Sequence, residues 1–121
     1  MIHMKTNELT GAALDWAVAK CEGAASFGWT AEGTERTALL CIDETWRKFK
    51  PSTDWAQGGP IIEKGQVSFV FDFTNGSWCA RIYTKPIVIS YDGPTPLIAA
   101  MRCYVASKLG DTIEIPEELT I

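Results

Sequence analysis

The residue types best suited to chemistry are sparse in this chain and scattered along it. Its single histidine is His3, close to the N-terminus. Hydrolysis and group transfer usually recruit a histidine, a cysteine beside a base, or two carboxylates held together. The paired acids on offer are Asp43 with Glu44, and Asp54 near Glu63; such pairs are most often solvated surface carboxylates. No G-x-S-x-G, P-loop or metal-binding motif is present. The cysteines, Cys21, Cys41, Cys79 and Cys103, form no C-x-x-C pair and with one histidine make poor material for zinc. Each lies in an apolar-patterned element, so all four read as reduced, largely buried small hydrophobes. The expectation is a protein without catalytic residues, metal or cofactor.

One stretch concentrates features of another kind: Pro51-Ser52-Thr53-Asp54-Trp55-Ala56-Gln57-Gly58-Gly59-Pro60-Ile61-Ile62-Glu63-Lys64-Gly65. Pro51 turns Lys50 away from helical geometry. Ser52, Thr53 and Asp54 are each able to cap a following helical turn. Gly58 and Gly59 weaken a helix by roughly 1 kcal/mol each relative to Ala, and Pro60 is tolerated only in a first turn. Either a short helix starts near Gly59, or a loop runs from Pro51 to Gly59; Gly65 then closes the segment. A second cluster, Asp92-Gly93-Pro94-Thr95-Pro96, reads as a helix start with Thr95 as N-cap and Pro96 in the first position. If both clusters open on one end of a sheet, bare backbone N–H groups and helix dipoles favour a phosphate or carboxylate there. Trp55 would stack on a base, and Arg81 or Lys85 would add positive charge. The candidate site is therefore Ser52, Thr53, Asp54, Trp55, Gly58, Gly59, Gly93 and Thr95. The plainer alternative is a capped connection between two layers, with Trp55 in the core.

The elements that would position these residues follow from periodicity. With 121 residues, 46% apolar and 21% charged, the chain fits one globular domain, 1–121, with residues 1–7 flexible. Helical spacing runs from Thr10 to Glu22, with Asp15, Lys20 and Glu22 mostly on its polar side and Gly23 ending it. Ala24 to Glu35 reads as loop, with Phe27 and Trp29 as aromatic pins or contacts. Arg36 to Ile42 is a strand; Asp43 to Lys50 fits a helical turn or an extended segment. Val67–Phe73 places Val67, Phe69, Phe71 and Phe73 on one strand face. Asn75-Gly76 signals a hairpin to Trp78–Thr84, and Ile87–Tyr91 adds a third strand. Pro96–Leu109 is a helix with a broad apolar face, ended by Gly110. The alternation after Asp111 allows a short edge strand. The fold class is α+β: a small antiparallel β-meander covered by N-terminal and C-terminal helices, sandwich-like.

Three motifs carry a resemblance. Leu9-Thr10-Gly11-Ala12-Ala13-Leu14-Asp15-Trp16-Ala17-Val18-Ala19, Pro51 to Glu63 as written above, and Gly93-Pro94-Thr95-Pro96-Leu97-Ile98-Ala99-Ala100-Met101-Arg102 resemble the NinX-like proteins of tailed bacteriophages. The similarity spans nearly the whole chain. More distantly, it resembles phage proteins with an alpha-beta-alpha sandwich domain. The resemblance implies a phage or prophage gene expressed in a bacterial cytoplasm, and helices covering a small sheet. The function of that family is not established, so the resemblance transfers no catalytic residues.

Charge and composition narrow the partners. Net charge is −4 with the acids dispersed, and Arg47, Lys48 and Lys50 are the sole basic cluster, so direct nucleic-acid binding is not expected. No run of ~18 apolar residues crosses a membrane, and the N-terminus lacks the apolar core of a secretion signal, which reads as cytosolic. The expected role is a small non-enzymatic phage accessory protein that binds and modulates a host or phage protein through exposed aromatics such as Trp29 and Trp46. The alternative is a binder of a small anionic or nucleotide-like ligand, such as a host defence signal, at the loops 52–59 and 92–95. Homo-oligomerisation is compatible with either.

Overall fold

A computed structural model describes residues 1–23, 25–29, 36–42 and 44–119. In chain order they form β1 (Ile2–Lys5), a 3-10 turn (Thr6–Glu8), α1 (Gly11–Cys21), β2 (Ala25–Trp29), β3 (Arg36–Ile42) and β4 (Thr45–Lys48). There follow α2 (Trp55–Gly65), β5 (Ser68–Asp72), β6 (Ser77–Thr84), β7 (Ile87–Gly93), α3 (Pro96–Leu109), β8 (Thr112–Ile115) and a second 3-10 turn (Glu117–Leu119). The strands make three antiparallel sheets, ordered β1-β8, β2-β3-β4 and β5-β6-β7. The chain is thus α+β, as its patterning indicates.

Helix α3 is the centre of the core. Its start is set locally: the Thr95 hydroxyl accepts the Ile98 N–H at 3.1 Å, and Pro96 occupies the first turn. Its end is set by Gly110, whose φ of +92° suits glycine. Leu97, Ala99, Ala100, Met101, Cys103, Tyr104 and Val105 are all buried. Such burial on every side means that neighbours surround the helix. The β5-β6-β7 meander packs on α3, and so do α1 and α2.

The meander has the expected pairing. Phe69 lies opposite Ala80, Phe71 opposite Trp78, and Ile82 opposite Ile89. The β5–β6 connection is wider than a two-residue turn. The Asp72 carboxylate accepts the Thr74 N–H at 2.9 Å, the Asp72 carbonyl accepts the Gly76 N–H at 2.9 Å, and Asn75 Oδ1 accepts the Ser77 N–H at 3.1 Å. Only Gly76 takes positive φ in this loop. Phe73 lies beyond the end of β5, in this loop, and stands 88% exposed.

Several elements differ from what the sequence pattern suggests. The segment with the composition of a loop contains β2, which pairs with β3 from Ala25–Leu40 to Trp29–Arg36. The rest of that loop, residues 24 and 30–35, lies outside the described residues, as do Asp43 and the Trp29 side chain. The ambiguous segment before Lys50 is extended as β4, with Trp46 opposite Cys41. Helix α1 covers β2 and β3 and flanks α3, leaving α3 and not α1 on the meander. Residues 2–5 pair with Thr112–Ile115, and Thr6 is fully buried with its hydroxyl donating to the Gly110 carbonyl at 2.8 Å. Cys103 is buried, whereas Cys21, Cys41 and Cys79 are only half-buried.

Candidate functional site

The Pro51–Gly65 stretch starts its helix earlier than a start near Gly59 or a loop running to Gly59 would have it, and Asp54, one of the three expected caps, is the cap. Pro51–Thr53 is a turn, Asp54 caps α2 by accepting the Ala56 N–H at 2.9 Å, and the helix begins at Trp55. Pro60 therefore sits inside the helix, and the left-handed residue that ends it is Gln66, with φ +52°, not Gly65. The glycines explain why helix wins here. A Cβ on Gly58 would lie 2.5 Å from the Pro51 carbonyl oxygen and 2.6 Å from Leu97 Cδ2. Gly58 is thus the contact that lets α2 close on its own leading turn and on the start of α3. Gly59 meets nothing within 4 Å. Gly65 is required by the Tyr104 ring, which a Cβ would approach to 2.9 Å.

Side chains from other elements lock this turn. The Ser52 N–H donates to Asp15 Oδ1 at 2.9 Å, and both residues are buried. The Gln57 side chain bridges β4 and the turn: its oxygen accepts the Lys50 N–H at 2.5 Å, and its nitrogen donates to the Lys48 carbonyl at 3.2 Å. The Thr53 and Asp54 N–H groups donate to the Lys50 carbonyl, and those of Gln57 and Gly58 to the Asp54 carbonyl. Most of the N–H groups that the sequence offers to an anion are therefore engaged within the protein.

Asp15 is the residue that sequence reasoning missed. Periodicity assigns it to the polar side of α1, yet every residue from Ala13 to Ala19 is buried. Burial pushes its carboxyl from 3.8 up to about 6, opposed by the Ser52 hydrogen bond and by the charge of Lys50. The available signal is a lone carboxylate inside Ala12-Ala13-Leu14-Asp15-Trp16-Ala17-Val18-Ala19, where no neighbour is strongly polar.

The scaffold carries an aromatic row that is exposed at its two ends, Trp55 and Phe73, and half-buried between them, where Phe69 and Trp78 pack against the core. Trp55, at the first position of α2, is 52% exposed, so it is neither core nor enclosed in a pocket. Its ring centroid lies 6.2 Å from Phe69, which lies 6.0 Å from Trp78. Trp78 lies 5.3 Å from Phe71, and Phe71 lies 5.2 Å from Phe73 at the hairpin tip. The tilted and edge-on geometries are those aromatic pairs prefer. Gly93 pairs with Trp78 across β6 and β7, and Leu97 closely approaches Gly58. These contacts link the two sequence-predicted clusters only indirectly, through Trp78 and Leu97. Ser52 is buried against Asp15, Thr53 and Asp54 are exposed in the turn and at the cap, and Thr95 is occupied as a cap.

A groove of about 960 Å³, mixed polar and apolar, opens beside Gly93, lined by residues from β1, the β5–β6 hairpin, β7, α3 and the β8 entry, among them Lys5, Tyr91, Asp92 and Arg102. It includes Gly93 but none of residues 52–59. Among the described residues, no three of His, Cys, Asp and Glu come together in a way that could hold a metal ion. No helix among them is long and apolar enough to cross a membrane.

The fold and these surfaces define a small α+β domain built around one buried helix. The sequence matches the family model described as "Bacteriophage P22, NinX" over residues 5–108, and the chain belongs to this family of phage proteins. No curated protein is matched.

Proposed function

We propose that this phage protein works by binding, without catalysis, and that it modulates a host or phage protein in the cytoplasm of the infected bacterium. The observation that carries this reading is the row Trp55–Phe69–Trp78–Phe71–Phe73, which is continuous yet ends on two exposed rings. Large exposed aromatics are costly to hydrate and are enriched at the centres of protein interfaces. The partner fitting this surface is a protein segment with apolar side chains, wide enough to cover rings from the start of α2 to the hairpin tip.

The test uses the full chain as bait in infected cells, beside the variants Trp55→Ala and Phe73→Ser. A partner identified by mass spectrometry is then purified and its affinity measured directly. Loss of about 2 kcal/mol or more of binding in either variant, with unchanged folding, supports the row as the interface. Equal affinity for wild type and both variants overturns it.

A further inference from the structure

We propose that the groove between β1, β7 and α3 is a binding site for a phosphorylated sugar or nucleotide, distinct from the aromatic row. Arg102 anchors one side of the groove. Its Nε donates to the Leu9 carbonyl at 2.8 Å and one terminal nitrogen donates to the Asp92 carbonyl at 2.9 Å. These two bonds fix the guanidinium between the segment entering α1 and the edge strand β7. Burial works against its charge. Among the described residues no carboxylate lies in ion-pair contact with it, and its other terminal nitrogen has no protein partner. A half-buried, pre-positioned guanidinium with open donors is the usual receptor for a phosphate or carboxylate oxygen.

The groove holds a second cation, Lys5 of β1, and Lys5 also makes no ion pair among the described residues. That strand is anchored: Lys5 pairs with Thr112 across β1–β8, and the Thr6 N–H donates to the Asp111 carbonyl at 2.9 Å. The remaining charged groups are Asp92 and Asp111. Neither is in ion-pair contact with the two cations, so the groove offers positive and negative groups that do not neutralise one another directly. A bare anion gains little from such a site, because the carboxylates offset the cations. A ligand that carries both a phosphate and vicinal hydroxyls satisfies both kinds of group, since carboxylates are the usual acceptors for sugar hydroxyls. Asn7, Ser77 and Ser90 supply further neutral hydrogen-bonding groups, and the volume of about 960 Å³ accommodates a nucleotide.

The experiment titrates ribose 5-phosphate, adenosine monophosphate, inorganic phosphate and ribose separately into the full chain by calorimetry. Amide shifts in an NMR spectrum locate the contact. The phosphorylated sugars should bind at least about tenfold tighter than phosphate or ribose alone, with shifts at Tyr91, Gly93 and Thr112. A base-dependent gain for adenosine monophosphate over ribose 5-phosphate marks a nucleotide site; equal affinities mark a sugar-phosphate site. Lys5→Gln, on an exposed strand residue, should weaken both by about threefold to tenfold. Asp92→Asn should weaken the sugar phosphates while strengthening inorganic phosphate. No binding of any probe at millimolar concentration overturns the proposal. So does binding unaffected by Lys5→Gln, or shifts confined to the aromatic row.

Discussion

Replacing Asp15 by Asn isolates the energetic cost of one buried carboxylate. In the folded protein its carboxyl titrates at about 6, against 3.8 ordinarily, because burial in α1 disfavours the charged form. Between those two values the native state holds a proton that the unfolded state has released. Stability therefore falls as pH rises through this window and is lowest, as far as this group is concerned, above pH 6. A tenfold change in proton affinity corresponds to about 1.4 kcal/mol, so a rise from 3.8 to about 6 amounts to about 3 kcal/mol at neutral pH. The amide of the Asp15→Asn variant is uncharged at every pH and keeps an oxygen able to accept the Ser52 N–H, now bonded at 2.9 Å. Below about pH 4 the variant and the parent should have similar stability; at pH 7 the variant should be the more stable by about 3 kcal/mol. Urea unfolding between about pH 4 and pH 7, with equal m-values for both proteins, measures this difference. A carbon-detected NMR titration of the Asp15 carboxyl reads its ionisation directly. A stability difference that does not change with pH, or a variant that loses ground to the parent as pH rises from acid to neutral, refutes the reasoning. The second result would mean that the Ser52 hydrogen bond and Lys50 stabilise the charged form more than burial destabilises it.

The two adjacent glycines of α2 should respond in opposite directions. Gly58→Ala places a methyl 2.5 Å from a backbone oxygen in the turn that the Ser52–Asp15 bond holds in place, and should cost about 1–3 kcal/mol. Gly59→Ala meets open space in a helical conformation and should add about 0.5–1 kcal/mol, both read by thermal unfolding. Removing the α3 cap with Thr95→Ala should cost about 1 kcal/mol in the same assay. Cys103 is buried, and burial pushes its thiol up to about 12, so at about pH 8 a bulky thiol reagent should reach it only on unfolding, after the half-buried Cys41 and Cys79 have reacted; Cys21, half-buried with its thiol also pushed up to about 12, should react more slowly than those two. Met101→Ala, at a fully buried position of α3, should cost about 2–5 kcal/mol in urea unfolding.

Features that depend on neighbours in sequence were legible from sequence alone. Thr95-Pro96 and Gly110 bound α3, because caps act within a single turn of backbone. The strands β5, β6 and β7 and their order follow from two-residue alternation and short connections. The family was legible too, because all three motifs that carry the resemblance fall within the matched residues 5–108. Tertiary contact decided the remainder. Ser26 and Gly28 have weak strand propensity, and β2 exists because β3 supplies the other half of its ladder. Gly58 weakens an isolated helix, yet α2 runs through it because only a residue without Cβ fits against Pro51 and Leu97. Asp15 could not be placed on a face by periodicity when every side of α1 is covered. Lys5, Asp92, Arg102 and Asp111 are spread along the sequence and meet in one groove only after β1 pairs with β8 and α3 packs against β7. Local hydrogen bonding and side-chain period are encoded residue by residue, whereas burial and convergence belong to the surfaces that meet when the elements pack.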